Sequence, residues 1–157
     1  MTRAHRRGFT LIELLVVFVV LAVLAGIGIK RYIDLRHRAL AAQATADMDT
    51  IRLSAYSKFY DTGTWPSGAA AGVVPPDLVP YLGTGFNFDR PDYTLEFENY
   101  APPGGGPTGG LYQVALKLTT SNQNLRNTLA QIVGTRSPYF MLGNDLIVVL
   151  VGPDGHS

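Results

Sequence analysis

The sequence contains no cysteine among its 157 residues. Disulfide bonds are therefore excluded, and so are metal sites built from thiolates. The lack of cysteine leaves the cellular compartment open, because exported proteins need not be disulfide-bonded. Histidine is nearly as scarce: His5, His37 and His156 lie far apart in the chain, and no two of them have the spacing of a metal-binding pair.

Charged residues are also few, at 16% of the chain, and they nearly balance to a formal net charge of +1. This is not the basic excess of a nucleic-acid-binding domain, so no nucleic-acid partner is predicted. Catalytic motifs are missing as well: no Gly-x-Ser-x-Gly occurs, and Asp47 and Asp49 are too close in sequence to share one face of a helix. We predict that the chain is not an enzyme and that it holds no metal and no cofactor.

What the sequence does have is a long apolar run near its N-terminus. Arg6 and Arg7 precede Gly8, and the 21 residues 9–29 then contain a single charged residue, Glu13. As a helix rising about 1.5 Å per residue, this run would be roughly 31 Å long and could cross the hydrocarbon core of a membrane. A carboxylate in such a place is costly, so Glu13 is predicted to have both a partner and a role.

A cation able to pair with Glu13 would arise if the chain were cut. Residues 9–29 contain no Lys, Arg or His. Hydrolysis after Gly8 would free an amine at Phe9, about one helical turn before Glu13 in the same chain. In an assembly, the same amine could come from a neighbouring chain.

These residues resemble the N-terminal signal of type IV prepilins and type II secretion pseudopilins. The match consists of Gly-Phe-Thr-Leu-Ile-Glu at residues 8–13 followed by the apolar run, and it is close only over the N-terminal part of the chain. The resemblance implies that residues 1–8 are a leader, which a prepilin peptidase removes between Gly8 and Phe9 before the new amine of Phe9 is methylated. It also implies that Glu13 sets the register of assembly by neutralising that amine on a neighbouring subunit.

Two other interpretations of the run remain. An ordinary secretory signal peptide also has a basic start, an apolar core and a small-residue cleavage site, here at residues 23–25. The presence of Glu13 argues against it, and so does an apolar core longer than the roughly 7–15 residues usual in such peptides. The second interpretation is a plain membrane anchor.

The helical pattern continues beyond the membrane run. Apolar residues recur at helical spacing on one face, and polar residues occupy the opposite face. The apolar stripe comprises Ile29, Ile33, Leu40, Ala44, Met48, Ile51, Ala55 and Phe59, and the polar face comprises Arg31, Arg38, Gln43, Asp49 and Arg52. We predict one helix from about Thr10 to about Tyr60, with a transmembrane half at residues 9–29 and a soluble half at residues 30–61 that packs against a sheet.

Residues 62–157 are predicted to form a globular sheet domain that begins with a connecting loop. Frequent Pro and Gly interrupt residues 62–91, where only one short helical turn, at residues 77–82, is expected. Alternation of apolar and polar residues then predicts half-buried strands at residues 93–98 and 112–118. In the second strand the alternation places Tyr112 on the same face as Val114, Leu116 and Leu118.

Between these strands, residues 102–110 are rich in Gly and Pro and predict a long flexible loop. Just before the first strand, Asp89 and Asp92 flank Arg90 and could pair with it locally, although a solvated turn is the favoured interpretation. Residues 122–133 predict a short helix. Its expected cap is Ser121 or Asn122, and Gly134 is expected to end it.

The last part of the chain predicts a hairpin. Apolar segments at residues 139–142 and 146–151 flank Gly-Asn-Asp at residues 143–145. The second segment is apolar on both faces, so it should be a central strand. The Gly-Pro-Asp-Gly at residues 152–155 resembles a turn near the C-terminus of many pseudopilins, but too few acidic residues follow Asp154 to predict a calcium site.

The predicted fold is α+β and pilin-like, with a long N-terminal helix packed on a small antiparallel sheet of three or four strands. The resemblance implies a structural subunit with one membrane span in the bacterial inner membrane and a periplasmic C-terminal domain. Its implied partners are the prepilin peptidase, an inner-membrane assembly platform, and other copies and pilin-like subunits in a helical filament. A type II secretion pseudopilus is favoured, with a minor or major subunit of a type IV pilus as the alternative. A membrane-anchored periplasmic binding domain is a remote third possibility, and the sequence shows no polar pocket for it.

Overall fold

The computed structural model describes residues 9–100 and 110–155. The predicted leader and most of the predicted loop at residues 102–110 lie outside the described residues. In chain order the elements are α1 (Leu11–Thr62), β1 (Thr94–Asn99), β2 (Val114–Thr119), α2 (Gln123–Val133), β3 (Tyr139–Leu142) and β4 (Asp145–Val151). The fold is α+β as predicted, with a long N-terminal helix packed on a small antiparallel sheet. The described residues up to Arg36 form one compact unit, and those from His37 onward form a second.

The first unit contains the apolar start of α1. The helix runs unbroken through Gly26 and Gly28, each of which costs up to about 1 kcal/mol relative to Ala. An 18-residue window of α1 has a mean hydropathy of 2.9 and none of it is buried, so α1 is long and apolar enough to cross a membrane. Ile29 and Ile33 are exposed, which limits the predicted buried stripe to the residues from Leu40 onward.

The second unit is built on a four-stranded antiparallel sheet with the order β1-β2-β4-β3. β4 lies inside the sheet, as its apolar residues on both faces predicted. A two-residue turn of Gly143 and Asn144 joins β3 to β4, and it is flanked by the Leu142–Asp145 pair. Gly143 has a φ of 59°, a conformation that favours glycine at the first position of such a turn.

The part of α1 that belongs to the second unit covers one face of this sheet, as the helical stripe predicted. Leu40 and Phe59 mark its partly buried ends. The buried residues of α1 are Ala41, Ala44, Asp47, Met48, Ile51, Ser54, Ala55 and Lys58. They share a core with strand residues that include Leu95, Phe97, Leu116, Leu118, Leu146 and Val148. Full burial of a side chain the size of Ile51 contributes about 1.5–3 kcal/mol, so this face holds the helix to the sheet.

The predicted alternation of the second strand is wrong at Tyr112. β2 begins only at Val114, and Tyr112 packs with Ala115 and Ile147 in a smaller cluster on the other face of the sheet. The pairing of β2 with β4 is irregular between Val114 and Ala115. A period of two holds only within a regular strand, so it could not be extended to the residues before this irregularity.

Helix α2 has the predicted extent, and its cap is Asn122 rather than Ser121. The Asn122 side-chain oxygen accepts a hydrogen bond of 3.2 Å from the backbone N–H of Leu125. Gly134 follows the last helical residue as predicted, but its φ of −61° does not require glycine. Space is the reason for glycine there, because a Cβ on Gly134 would lie 2.7 Å from the Tyr139 ring.

The predicted helical turn in the connecting loop is also present. The backbone N–H of Leu82 donates to the carbonyl of Leu78 over 3.1 Å. Leu78 and Leu82 are both buried, so this turn closes one end of the core that α1 shares with the sheet.

Candidate functional site

The predicted processing site lies at the described N-terminal end of the chain. Gly8 is outside the described residues, and Phe9 is 76% exposed. Phe9 and Thr10 precede α1, which begins at Leu11. An exposed, non-helical segment is the kind of backbone that a peptidase can bind, which is compatible with a cut immediately before Phe9.

Glu13 is held by Thr10 at the start of α1. The backbone N–H and the hydroxyl of Thr10 both donate to Glu13 Oε2, over 2.9 and 2.8 Å. The backbone N–H of Glu13 lies 3.4 Å from Thr10 Oγ1 and donates to it. This reciprocal arrangement is a capping box, whose sequence signature is Thr-x-x-Glu ahead of an apolar run. Sequence reasoning sought only a cation for Glu13 and overlooked that signature.

The apolar surface that follows the capping box is continuous. The large apolar side chains from Leu11 to Ile29 are between 46% and 86% exposed. A soluble monomer rarely exposes a contiguous apolar surface of this extent, so lipid or other apolar helices must cover it. This segment is the principal candidate for the functional surface of the first unit.

In the second unit, Asp47 ties α1 to the segment before β1. Arg90 donates to both carboxylate oxygens of Asp47, from Nε over 2.9 Å and from Nη2 over 3.1 Å, and the Tyr93 hydroxyl donates over 2.7 Å. Burial, with the hydrogen bond and charge of Asp47, raises the pKa of Tyr93. The Arg90 guanidinium therefore reaches a carboxylate 43 positions away in the sequence, a partner that sequence reasoning did not predict.

Lys58 holds the connecting loop against the end of α1. Its ammonium donates to the carbonyl and hydroxyl of Thr64 and to the carbonyl of Trp65, over 3.0–3.3 Å. Asp77 lies 3.5 Å from Lys58 and accepts hydrogen bonds from the backbone and hydroxyl of Ser67. Burial acts to raise the pKa of Asp77, but the Ser67 hydrogen bonds and the charge of Lys58 outweigh it and lower that pKa. Sequence reasoning did not identify Lys58 as buried.

A third polar cluster lies on the sheet face away from α1. Lys117 Nζ is 2.6 Å from Glu96 and 2.8 Å from Glu98, and the Tyr112 hydroxyl also donates to Glu98. Burial alone would lower the pKa of Lys117, but the hydrogen bonds and charges of the two glutamates raise it. Glu98 is only 4% exposed, so the predicted polar face of β1 is not uniformly solvated. The cluster joins β1 to β2.

Asp49 and Arg52 were predicted to lie on the polar face of α1 opposite the apolar stripe, and both are half-buried there. Arg52 Nη1 donates to Ser137 Oγ over 2.9 Å. Arg136 lies 3.6 Å from Asp49, and the exposed fractions of the two side chains are 62% and 49%. This flank of α1 therefore contacts the segment that follows α2.

Metal-binding geometry is not found in residues 9–100 and 110–155, where no three His, Asp or Glu side chains lie close enough to hold an ion. A cleft between α1, the end of α2 and the sheet is lined by both apolar and polar residues. Its lining residues are Thr45, Met48, Asp49, Arg52, Leu116, Val133, Arg136, Ser137, Val148 and Leu150.

Comparison with known proteins identifies the N-terminal segment. The family model described as the prokaryotic N-terminal methylation motif matches residues 3–29. The chain is 31% identical over 71 residues to a type IV major pilin protein of Neisseria gonorrhoeae, covering 45% of this chain and 33% of the relative. It is 36% identical over 76 residues to a fimbrial protein of Eikenella corrodens, covering 47% of this chain and 49% of the relative.

These matches thus span about half or less of each relative's length. No solved structure is significantly similar to this chain. The predicted resemblance is confirmed: the chain carries the methylation motif and is similar to type IV pilin proteins.

Proposed function

We propose that this chain is a structural subunit of a pilin-like filament. The observation that carries the proposal is the methylation motif over residues 3–29, which coincides with an exposed apolar helix that needs other apolar surface to cover it. The names of the two relatives, a pilin and a fimbrial protein, support the same class of function.

In this proposal a prepilin peptidase cuts the chain between Gly8 and Phe9, and the new amine of Phe9 is then methylated. Both residues fall within the matched motif, and the exposure of Phe9 supports access to the bond. The leader is cytoplasmic, residues 9–29 span the bacterial inner membrane, and the sheet domain is periplasmic. The mean hydropathy of 2.9 in this part of α1 supports the membrane location.

Assembly then moves the apolar part of α1 from lipid into a filament core, with an inner-membrane platform supplying new subunits. Glu13 has its hydrogen bonds from Thr10 in the stored subunit. In the filament it meets the Phe9 ammonium of a neighbouring copy. A buried carboxylate is much less costly beside a cation than alone, so the stagger that brings these two groups together is selected over others.

Two kinds of filament fit this proposal. A type II secretion pseudopilus is favoured by the absence of cysteine and by the Gly-Pro-Asp-Gly turn at residues 152–155. A type IV pilus is favoured by the names of the relatives. Deleting the gene separates them: loss of secretion of an exported enzyme supports the pseudopilus, and loss of surface fibres with secretion intact supports the pilus.

The test of the subunit proposal is expression with a prepilin peptidase and the native assembly machinery. The intact mass of the mature chain should correspond to N-methyl-Phe9 at its start, and sheared or cross-linked filament should contain the chain. Gly8→Val should leave the leader attached and abolish filament. A mass corresponding to cleavage after Ala25 would instead show an ordinary signal peptide and contradict the proposal.

A further inference from the structure

We infer that Lys30 and Arg31 bind the phosphate groups of anionic phospholipids at the end of the apolar segment of α1. The inference rests on the proposed function, since it needs residues 9–29 to span a membrane, but it needs no filament. Both residues belong to the first unit, so the site is complete within that part of α1.

Lys30 and Arg31 follow directly on the apolar segment. Residues 9–29 make about 31 Å of helix, which matches the thickness of a hydrocarbon core. The headgroup layer beyond that core is about 5–7 Å thick, and residues 30–33 cover it at about 1.5 Å each. The two basic side chains therefore lie at the depth of the lipid phosphates. Tyr32 is 69% exposed in the same layer, and tyrosine is enriched at this depth in membrane proteins.

The charges of the chain are distributed unevenly along it. Residues 30–38 contain four Lys or Arg and a single acidic residue, Asp34. Residues 39–157 contain six Lys or Arg and ten Asp or Glu. The positive charge is thus concentrated next to the membrane segment, where anionic lipid attracts it, while the sheet domain has a net negative charge.

The basic residues of the sheet domain are engaged by protein groups, whereas Lys30 and Arg31 are not. The six that contact a carboxylate, hydroxyl or carbonyl are Arg52, Lys58, Arg90, Lys117, Arg126 and Arg136. Lys30 and Arg31 are exposed, and neither side chain has an ion pair or a hydrogen bond in the part of the chain that the structure describes. Their charges are therefore available to a group outside the chain.

Processing would leave this pair as the first basic side chains of the subunit. Residues 9–29 contain no Lys or Arg, and Arg3, Arg6 and Arg7 belong to the proposed leader. In the mature chain the basic side chains near the membrane then lie only at the end of the span that leads to the sheet domain. The lipid that they bind is consequently in the periplasmic leaflet.

The two side chains suit a phosphate in different ways. A guanidinium binds phosphate oxygens through two parallel hydrogen bonds, and an ammonium attracts the same oxygens as a compact charge. One basic residue near an anionic surface favours binding by up to about fivefold. Asp34 opposes this attraction, because it is exposed and lies about 6 Å beyond Lys30 along the helix.

The test measures which lipids surround this end of the span. The natural chain has no cysteine, so Ile29→Cys provides one thiol for a small fluorophore, at a position that is 58% exposed beside Lys30. The full-length chain is reconstituted in phosphatidylcholine vesicles at less than one copy per vesicle. Phosphatidylglycerol with a nitroxide near its headgroup should quench the fluorophore at a roughly tenfold lower mole fraction than phosphatidylcholine with the same nitroxide. High salt should reduce this preference, because it screens exposed charges.

Substitutions within the same background identify the residues responsible. Lys30→Gln and Arg31→Gln should each lower the preference to roughly threefold, and the double variant should show none. Asp34→Asn should raise the preference, since it removes the opposing charge. Arg136→Gln is the matched control: it removes one positive charge from a side chain that is 62% exposed in the second unit, and it should leave the preference unchanged.

The outcomes separate this inference from the function on which it rests. Equal quenching by the two lipids, or a preference that persists in the double variant, would overturn the lipid site. If the lipids quench equally and the double variant also loses filament, the pair instead binds an acidic surface of another subunit. A preference for phosphatidylglycerol in a chain that forms no filament with its native machinery would uphold the lipid site and overturn the filament proposal.

Discussion

Thr10 and Glu13 bind each other in both directions at the start of α1. Two donors of Thr10 converge on Glu13 Oε2 over 2.9 and 2.8 Å, and the Glu13 N–H donates back to Thr10 Oγ1 over 3.4 Å. The carboxylate therefore stabilises the first turn of its own helix. To pair with the amine of a neighbouring Phe9 in a filament, Glu13 must share or release these bonds.

Replacing Thr10 tests the capping box. Thr10→Val should cost about 1 kcal/mol of helix stability at this end and remove the hydroxyl that orients Glu13. We expect lower filament yield from Thr10→Val, measured by shearing cells that contain the native machinery. Thr10→Ser keeps a hydroxyl and should retain most of the yield. Equal yields from the two variants would show that orientation of Glu13 by Thr10 does not matter for assembly.

Glu13→Ala should block assembly more severely, because it would leave the neighbour's amine unpaired in the apolar core. The expected measurement is little or no sheared filament, with cleavage before Phe9 largely retained in the intact mass. A fragment of residues 34–157 lacks this position and should fold by itself, so its thermal unfolding is the reference for the sheet domain. Normal filament yield from Glu13→Ala would contradict a role for Glu13 in register.

Two apolar residues of α1 that are close in sequence test which face of the helix is buried. Ile51 is 0% exposed, and Leu53 is 68% exposed on the same helix. Ile51→Ala should destabilise the 34–157 fragment by about 2–5 kcal/mol through lost contacts and a cavity. Leu53→Ala should change its stability by no more than about 0.5 kcal/mol. Urea unfolding of the fragment measures both, and similar losses for the two would show that α1 does not pack on the sheet by the face described.

Asp47 and Asp49 form a second matched pair. Asp47→Ala leaves Arg90 and the buried Tyr93 hydroxyl without their shared acceptor, which should cost about 2 kcal/mol or more. Asp49 is half exposed, and its pairing distance to Arg136 is 3.6 Å, so Asp49→Ala should cost at most about 0.5 kcal/mol. Urea unfolding again provides the comparison. A larger loss from Asp49→Ala than from Asp47→Ala would contradict the assigned burial.

The ion pairs of Lys117 predict that the unfolding free energy of the protein decreases at high pH. Its pKa is raised above the ordinary 10.5 by Glu96 and Glu98, so the charged form is favoured in the folded state. The resulting stabilisation is fully present below pH about 10.5 and disappears as pH rises through the folded-state pKa. The unfolding free energy should therefore fall above that pH by more in the natural chain than in Lys117→Met. Parallel pH profiles for the two proteins would exclude this contribution.

Local patterns were sufficient wherever the cause of a structure is local. Apolar periodicity predicted the buried part of α1 beyond Leu40, because each helical turn repeats the same face. The turn at Gly143 depends on a backbone conformation that glycine adopts easily, and the capping by Asn122 depends on a hydrogen bond to the next turn. The position of β4 inside the sheet followed from its apolar residues on both faces. The capping box of Thr10 and Glu13 could also have been predicted from its Thr-x-x-Glu signature, although only a cation was sought as the partner of Glu13.

Tertiary structure alone decided which charged residues are buried and with which partners they pair. Asp47 and Lys58 are buried because α1 meets the connecting loop, and Glu98 is buried because β1 meets β2. Arg90 has acidic neighbours in sequence, yet it pairs with Asp47, 43 positions away. The cost of burying a charge depends on whether a partner arrives from elsewhere in the chain. Periodicity contains no information about such distant partners, so the sequence by itself determined the elements of this protein and the folded chain determined its ion pairs.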